Sequence, residues 1–583
     1  MASIMADDGK IFVPTNPYEP GPARGIFSAF EPGTELLPIG YQVAPIFRPL
    51  PVEIIFERDV PVVLRDGVTI YVDIFRPAGT ERVPVLIAWS PYGKAQGTTP
   101  DVTALYGMLG MNNGILSGLA KFEGPDPAYW CAHGYAVCNP DPRGIGQSEG
   151  DSAMFGTQEG RDCHDLIEWL GVQDWCNGKV GMTGTSYLAI AQWFTAAERP
   201  PHLAAINPCE GLSDIYRDLV MRGGMPDLGF AERLRRSYAG KGLREDAALE
   251  AEQLPLMGPL WEDKAARFER IDVPAYVVAS YSNTLHMMGT FRAWRRMASA
   301  QKWLRIHNTQ EWPDYYHEAN LERLRLFFDR FLMDQENGWE DTPRVLYAVH
   351  DFHGGDSVNQ PADTFPPDHV TNTRYYLNGL SRALALQAPA QEVAVPYDAA
   401  ADPALASFVV RFERETELIG YPKAHLWVEA QGSDDMDLFI LVEKLDAQGS
   451  HLSQFTVPNQ GPRMQDLTEN GSSVLRYKGS NGRLRVSARH IDAALSTDAV
   501  PAHSFDRTEK LAPGEVVEVD IDLTPIGMRF YPGEQLRLVI SARNGLGPMM
   551  PMVGNYVPAN AGQHIIHTGG ARASYLQLPL ATA

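Results

Sequence analysis

The hydrophobic pattern changes twice along the chain. Between Val60 and Pro77 apolar and polar positions alternate ("VPVVLRDGVTIYVDIFRP"), and Arg65-Asp66-Gly67 breaks the alternation with a turn signal, which predicts a β-hairpin. From residue 83 the text turns into short, nearly continuous apolar runs: "VPVLIAWSPY" (83–92), "YAVCNPD" (135–141), "KVGMTGTS" (179–186), "LAAINPC" (203–209), "VPAYVVASY" (273–281) and "KWLRIHN" (302–308). Helical periods separate several of them, as in "GRDCHDLIEWLGVQ" (160–173) and "EANLERLRLFFDRFLMD" (318–334). Strands apolar on both faces, alternating with helices, predict a mostly parallel α/β sheet covered on both sides.

Residues 212–268 break this rhythm with charged, helix-like text around "AERLRRSYAGKGLREDAALEAEQL", read as a helical cap with a solvated face. After about residue 345 helices nearly vanish. Runs such as "SFVVRFERE" (407–415), "AHLWVEAQ" (424–431), "DLFILVEKL" (437–445), "RLRVSARHI" (483–491), "VVEVDIDLTPI" (516–526) and "QLRLVISAR" (535–543) alternate with period two, which predicts an all-β jelly-roll sandwich. The expected division is therefore an extended N-terminal arm (1–50), an α/β domain (51–211 and 269–345), a cap (212–268) and a sandwich (346–583).

Composition narrows the partners. A net charge of −22 argues against nucleic acid and anionic membranes. The five cysteines, Cys131, Cys138, Cys163, Cys176 and Cys209, form no CxxC pair and read as buried free thiols of a reducing compartment. With no apolar leader and no membrane-length apolar run, a cytoplasmic location is expected. The Pro- and Gly-rich arm is suited to wrapping a neighbour, so a homo-oligomer is one expectation.

The stretch that carries chemistry is "VGMTGTSYLAIAQWF" (180–194). A serine nucleophile needs a sharp strand-to-helix turn that lifts its hydroxyl and aims the next backbone N–H at an oxyanion. Ser186 ends an apolar strand and opens an amphipathic run, with Gly184 two before it and Ala189 three after. A serine that merely caps the helix is the competing reading.

"GMTGTSYLA" resembles the nucleophile elbow of the cocaine esterase and X-Pro dipeptidyl-peptidase (CocE/NonD) family of α/β-hydrolases. "WCAHGYAVCNPDPRGIGQSEGD" (130–151), "DLIEWLGVQDWCNGKVG" (165–181) and "VEVDIDLTPIGMRFYPGEQLRLVISA" (517–542) resemble other parts of the same family. The resemblance implies an α/β-hydrolase domain, a helical cap and a C-terminal jelly roll. It also implies a tyrosine hydroxyl in the oxyanion hole, here Tyr92, beside the Tyr187 N–H.

The acid and base depart from that family. Where its aspartate is expected stand Ser282 and Asn283; near its histidine stand Gln310 and Glu311, with His307 slightly early. Three readings stay open: His307 as base, oriented by Asn283 or Ser282; His286 as base with Glu311 as its acid; or neither histidine meeting Ser186 in a site that binds without hydrolysing. Trp312 and Asn283 are expected to line the substrate pocket. The expected function is hydrolysis of a small-molecule ester or amide through an acyl-enzyme on Ser186. The alternative is a family member with a degenerate triad that binds a ligand or transfers an acyl group. A peptidase would need an acidic grip on an α-amine, for which the cap offers Glu232, Glu245, Asp246, Glu250 and Glu252. No cofactor and no metal are expected; His350 and His353 have metal-like spacing without a third ligand.

Overall fold

The computed structural model describes residues 3–18, 29–94, 97, 99–235, 238–457, 473–547, 556–558 and 560–581. Its centre is an eleven-stranded sheet. In chain order the strands are β1 (Gly33–Leu37), β2 (Ile54–Val63), β3 (Thr69–Pro77), β4 (Val83–Ile87), β5 (Ala136–Asp141), β6 (Cys176–Thr185), β7 (Leu203–Cys209), β8 (Ala275–Ser280), β9 (Lys302–His307), β10 (Val345–Val349) and β11 (Ser357–Ala362). Across the sheet they run β11-β10-β9-β8-β7-β6-β4-β5-β3-β2-β1. The pairings from β5 through β10 are all parallel, and β3 and β11 join the two sides antiparallel. The β2–β3 hairpin turns at Arg65–Gly67, where Gly67 takes φ +89° and Leu64 and Val68 close the turn. This is an α/β-hydrolase sheet, and its central strands are buried end to end, as their unbroken apolar text required. Helices α1 (Thr157–Gly171), α2 (Tyr187–Ala197), α3 (Met287–Arg296) and α4 (Glu318–Leu332) cover it.

The sheet extends past the expected boundary at 345, because β10 pairs with β9 and β11 pairs with β10. The sandwich proper is a nine-stranded and a five-stranded sheet of antiparallel pairs. The stretch expected as one strand at 483–491 splits: Gly479–Arg485 is extended, and Val486–Ala488 forms a 3₁₀ turn.

The cap departs from its expectation, and the N-terminal arm packs against it. The described part of the N-terminal arm is tied to its own chain: Ile11–Pro14 pairs with Leu243–Glu245, and Asn16–Pro17 pairs with Ala239–Gly240. A Pro- and Gly-rich segment still has backbone donors and acceptors to satisfy, and it finds them on the cap. Residues 19–28 of that arm lie outside the described residues. The cap is not one charged helix with a solvated face. Helices Gly229–Leu234 and Ala247–Gln253 flank extended backbone at 239–245. A Cβ on Gly240 would lie 2.0 Å from the Gly144 carbonyl oxygen, and one on Gly242 2.6 Å from that of Gly150, so the chain there is pressed against the 142–151 loop. Three of the five cap acids are correspondingly committed. Glu245 pairs with fully buried Lys264 at 2.6 Å, Asp246 pairs with Arg235 at 2.7 Å, and Glu250 accepts the Ile11 N–H at 2.8 Å.

The five cysteines are buried free thiols. Among the described residues no helix is long and apolar enough to cross a membrane.

Candidate active site

Ser186 stands between β6 and α2 with φ 56° and ψ −119°. A non-glycine residue held there stores on the order of 1–3 kcal/mol of strain, which the surroundings must offset. They do so with hydrogen bonds on both sides of the turn. The Thr185 N–H donates to the Glu123 carbonyl at 3.1 Å, and the Ser186 N–H donates to the Glu210 carbonyl at 3.0 Å. Small residues are needed for this packing. A Cβ on Gly184 would sit 2.5 Å from Leu188, and one on Gly211 would sit 2.9 Å from the Ala189 methyl. Ala189 is therefore the small residue that lets β7 continue past α2. Ser186 has no side-chain capping bond to the helix, so the simple N-cap reading is not what the geometry shows.

The Tyr92 hydroxyl is in polar contact with both Ser186 and Glu123. Burial, followed by the nearby Glu123 carboxylate, pushes the phenol well above its ordinary pKa, which keeps it a donor. The Tyr187 N–H belongs to the first turn of α2, where amides have no intrahelical acceptor. Glu123 also accepts the Trp312 Nε1–H at 2.9 Å, and burial pushes its pKa up to about 8. Trp312 is thus anchored by its ring nitrogen and packs on Tyr106 and Phe122.

The residues after β7, β8 and β9 converge beside this elbow, with partners the sequence did not disclose. His307, at the end of β9, has its Nε2 2.5 Å from Glu210 Oε1, although its N–H is not aligned on the carboxylate as a hydrogen bond would be. The Thr309 N–H points at Nδ1 at 3.4 Å, and Asp314 Oδ1 lies 3.8 Å from the same nitrogen. Asp314 is held by Arg305; burial raises its pKa, but the guanidinium outweighs it and leaves the group below its ordinary value. Asn283 donates its side-chain amide to Glu311 instead of orienting His307. Glu311 is in turn in polar contact with Glu210. Burial first, then repulsion from Glu210 and Glu123, pushes the Glu311 pKa well up, which favours its neutral form.

Two of the three readings of the acid and base are therefore altered. His307 has a carboxylate partner, but it is Glu210, and neither Asn283 nor Ser282. His286 does not pair with Glu311: it is 2 % exposed, its Nδ1 is buried without a hydrogen-bond partner, and the acids that act on it are Glu210 and Asp218. Burial depresses its pKa to about 4. The metal-like pair is separately committed, with His350 Nδ1 3.2 Å from Asp356 and His353 Nε2 2.7 Å from Glu534.

Glu210 and Glu123 were missed. Glu210 had a signal, since it is the first charged residue after the apolar run 203–209 and so sits at the C-terminal end of a parallel strand. It takes φ 52° and is buried. Glu123 lies in a loop remote from any periodic text and gave none.

Comparison with known proteins agrees with this architecture. The X-Pro dipeptidyl-peptidase (S15) family matches residues 66–234, and the X-Pro dipeptidyl-peptidase C-terminal non-catalytic domain matches 337–577. A CocE/NonD family hydrolase from Staphylococcus aureus has a crystal structure that superposes with a TM-score of 0.86 at 32% identity, covering 95% of this chain and 97% of that one. Cocaine esterase from Rhodococcus sp. is 35% identical over 159 residues, 27% of this chain and only 24% of the esterase. The Xaa-Pro dipeptidyl-peptidase of Lacticaseibacillus paracasei is 24% identical over 481 residues, 71% of this chain and 59% of the peptidase.

Proposed function

Since the chain belongs to the CocE/NonD hydrolase family, we propose that it hydrolyses an ester or amide of a small molecule through an acyl-enzyme on Ser186. The observation that carries this is the strained elbow: Ser186 at φ 56° between a buried parallel strand and a helix, facing the Tyr92 hydroxyl. Oγ attacks the carbonyl carbon, and the negative charge that develops on the carbonyl oxygen meets two donors, the Tyr187 N–H and the Tyr92 O–H. The proton leaving Oγ is assigned to His307, whose imidazole faces Glu210; the backbone bond from the Ser186 N–H to the Glu210 carbonyl sets that glutamate's turn beside the nucleophile and carries no proton itself. The same imidazole returns a proton to the leaving alcohol or amine, and water then releases the acid in a second round.

Glu311 supports the Glu210–His307 pair without carrying charge. As a neutral carboxyl it accepts from Asn283 and donates to Glu210, which leaves the negative charge on Glu210 facing the imidazole. The reading as an ester or small amide is preferred to dipeptide release because Glu245, Asp246 and Glu250, three of the cap acids that could grip an α-amine, already have structural partners.

The test is intact-mass spectrometry of the full chain mixed with p-nitrophenyl acetate and p-nitrophenyl butyrate. Acyl adducts that map to Ser186, appear before steady turnover and are absent from Ser186→Ala are expected. A folded chain that binds these esters yet never acylates would support the ligand-binding alternative.

A further inference from the structure

A cavity of about 230 Å³ lies where α3, the cap and the sandwich meet, and neither Ser186 nor Tyr92 lines it. Its walls are unusual for a protein of net charge −22. Six arginines line it: Arg217 and Arg222 from the cap, Arg292, Arg295 and Arg296 from the last two turns of α3, and Arg483 from the sandwich.

The carboxylates around it do not match this charge. Arg217 pairs with Asp214 at 2.8 Å and Arg292 with Asp218 at 2.7 Å. Asp227 serves two guanidiniums, Arg483 at 2.8 Å and Arg222 at 3.5 Å. Asp522 is the fourth acid, lining the cavity under the influence of Arg292 and Arg295. Among the described residues Arg295 and Arg296 have no carboxylate at ion-pair distance; Arg295 lies instead over the Tyr421 ring, 4.7 Å from its centroid. Six arginines therefore line the cavity with three aspartates, Asp227 pairing from outside its lining, and burial together with Arg222 lowers the pKa of Arg483 to about 10. Gathering partly desolvated guanidiniums costs repulsion and desolvation that a bound anion offsets.

We propose that this cavity is a binding site for a small organic anion that carries a carboxylate or phosphate group. Guanidinium forks match both groups with paired, charge-assisted hydrogen bonds. Leu285, Met288 and Phe505 give the cavity an apolar side, so the fitting ligand has a hydrophobic body behind its charged head. The three units each contribute arginines, so the anion would also tie the cap and the sandwich to α3.

The test is titration calorimetry of the full chain at low ionic strength with inorganic phosphate and with benzoate. Saturable binding of either probe is expected, and which probe binds tells the two head groups apart. The double variant Arg295→Gln/Arg296→Gln is expected to weaken that binding at least tenfold while labelling of Ser186 by a fluorophosphonate continues at the wild-type rate. If the double variant does not fold, Thr497→Glu decides, because it sets a carboxylate into the exposed rim of the cavity and is expected to block the probe. Absence of saturable binding by both probes, or unchanged affinity in the folded variants, overturns the proposal.

Discussion

Two turns meet beside the candidate nucleophile, one after β6 and one after β9, and they specify their chemistry in different ways. The turn after β6 is local. Gly184, Ser186, Tyr187 and Ala189 lie within six consecutive residues, and the clash distances that require Gly184 and Ala189 are set by Leu188 on α2 and by Gly211 just after β7. The turn after β9 is assembled from afar: His307 takes Glu210 from the end of β7, and Glu311 takes Asn283 from the end of β8. A local device can be read from one stretch of text. A device shared by three strand ends can be read only once the strand order is known.

The comparison predicts unequal sensitivity, and Ser186→Ala should show the largest effect. Turnover of an activated ester is expected to fall by about 10³-fold or more with the melting temperature nearly unchanged, since the β-carbon and the backbone contacts stay. A large fall in thermal stability would mean the serine is chiefly structural.

The next effect separates the two histidines. His307→Gln is expected to cost on the order of 10²–10³-fold in kcat, whereas His286→Gln should stay within roughly threefold. The reverse order, measured with the same ester, would move the base to the turn after β8. Tyr92→Phe should cost roughly 10²-fold in kcat with a smaller change in KM, as expected for a donor that acts on the transition state. A pure KM effect would make Tyr92 a binding residue.

The two glutamates that touch each other give a finer contrast. Glu311→Gln keeps the shape and the donor of a neutral carboxyl, so activity within about tenfold of wild type is expected; Glu210→Gln removes the charge beside His307 and should cost about 10²-fold. Equal losses would show that Glu311 is charged.

The smallest effect is on stability against pH. Glu123 has a folded pKa raised to about 8, so the native state binds its proton more tightly than the unfolded chain, and stability falls as pH rises from the ordinary carboxylate range through 8. His286, depressed to about 4, does the opposite: the unfolded chain takes up the proton first, and stability falls as pH drops from 6.5 toward 4. In melting temperatures measured from pH 4 to 9, Glu123→Gln should flatten the alkaline limb and His286→Gln the acid limb.

Much of the fold was legible because it rests on periodicity. The apolar run 203–209 coincides with β7 and the alternating run 535–543 covers a sandwich strand, Gln535–Ser541, since burial on two faces or on one dictates those patterns directly. The cap was misread because Gly240 and Gly242 answer to a neighbouring loop and not to their own sequence context. Within the site, Ser186 and Tyr92 were visible in their own stretches of sequence. Glu210 was hidden in plain text: the family resemblance directed attention to the turns after β8 and β9, while the carboxylate that reaches His307 follows β7.

The most direct measurement is the rate of fluorophosphonate labelling, mapped by peptide mass, for the wild type, His307→Gln, Glu210→Gln and His286→Gln, each confirmed folded by circular dichroism. The account predicts labelling at Ser186, slowed about 100-fold or more in His307→Gln and Glu210→Gln, and unchanged in His286→Gln. A folded wild type that does not label, or labelling that is lost only in His286→Gln, would contradict it.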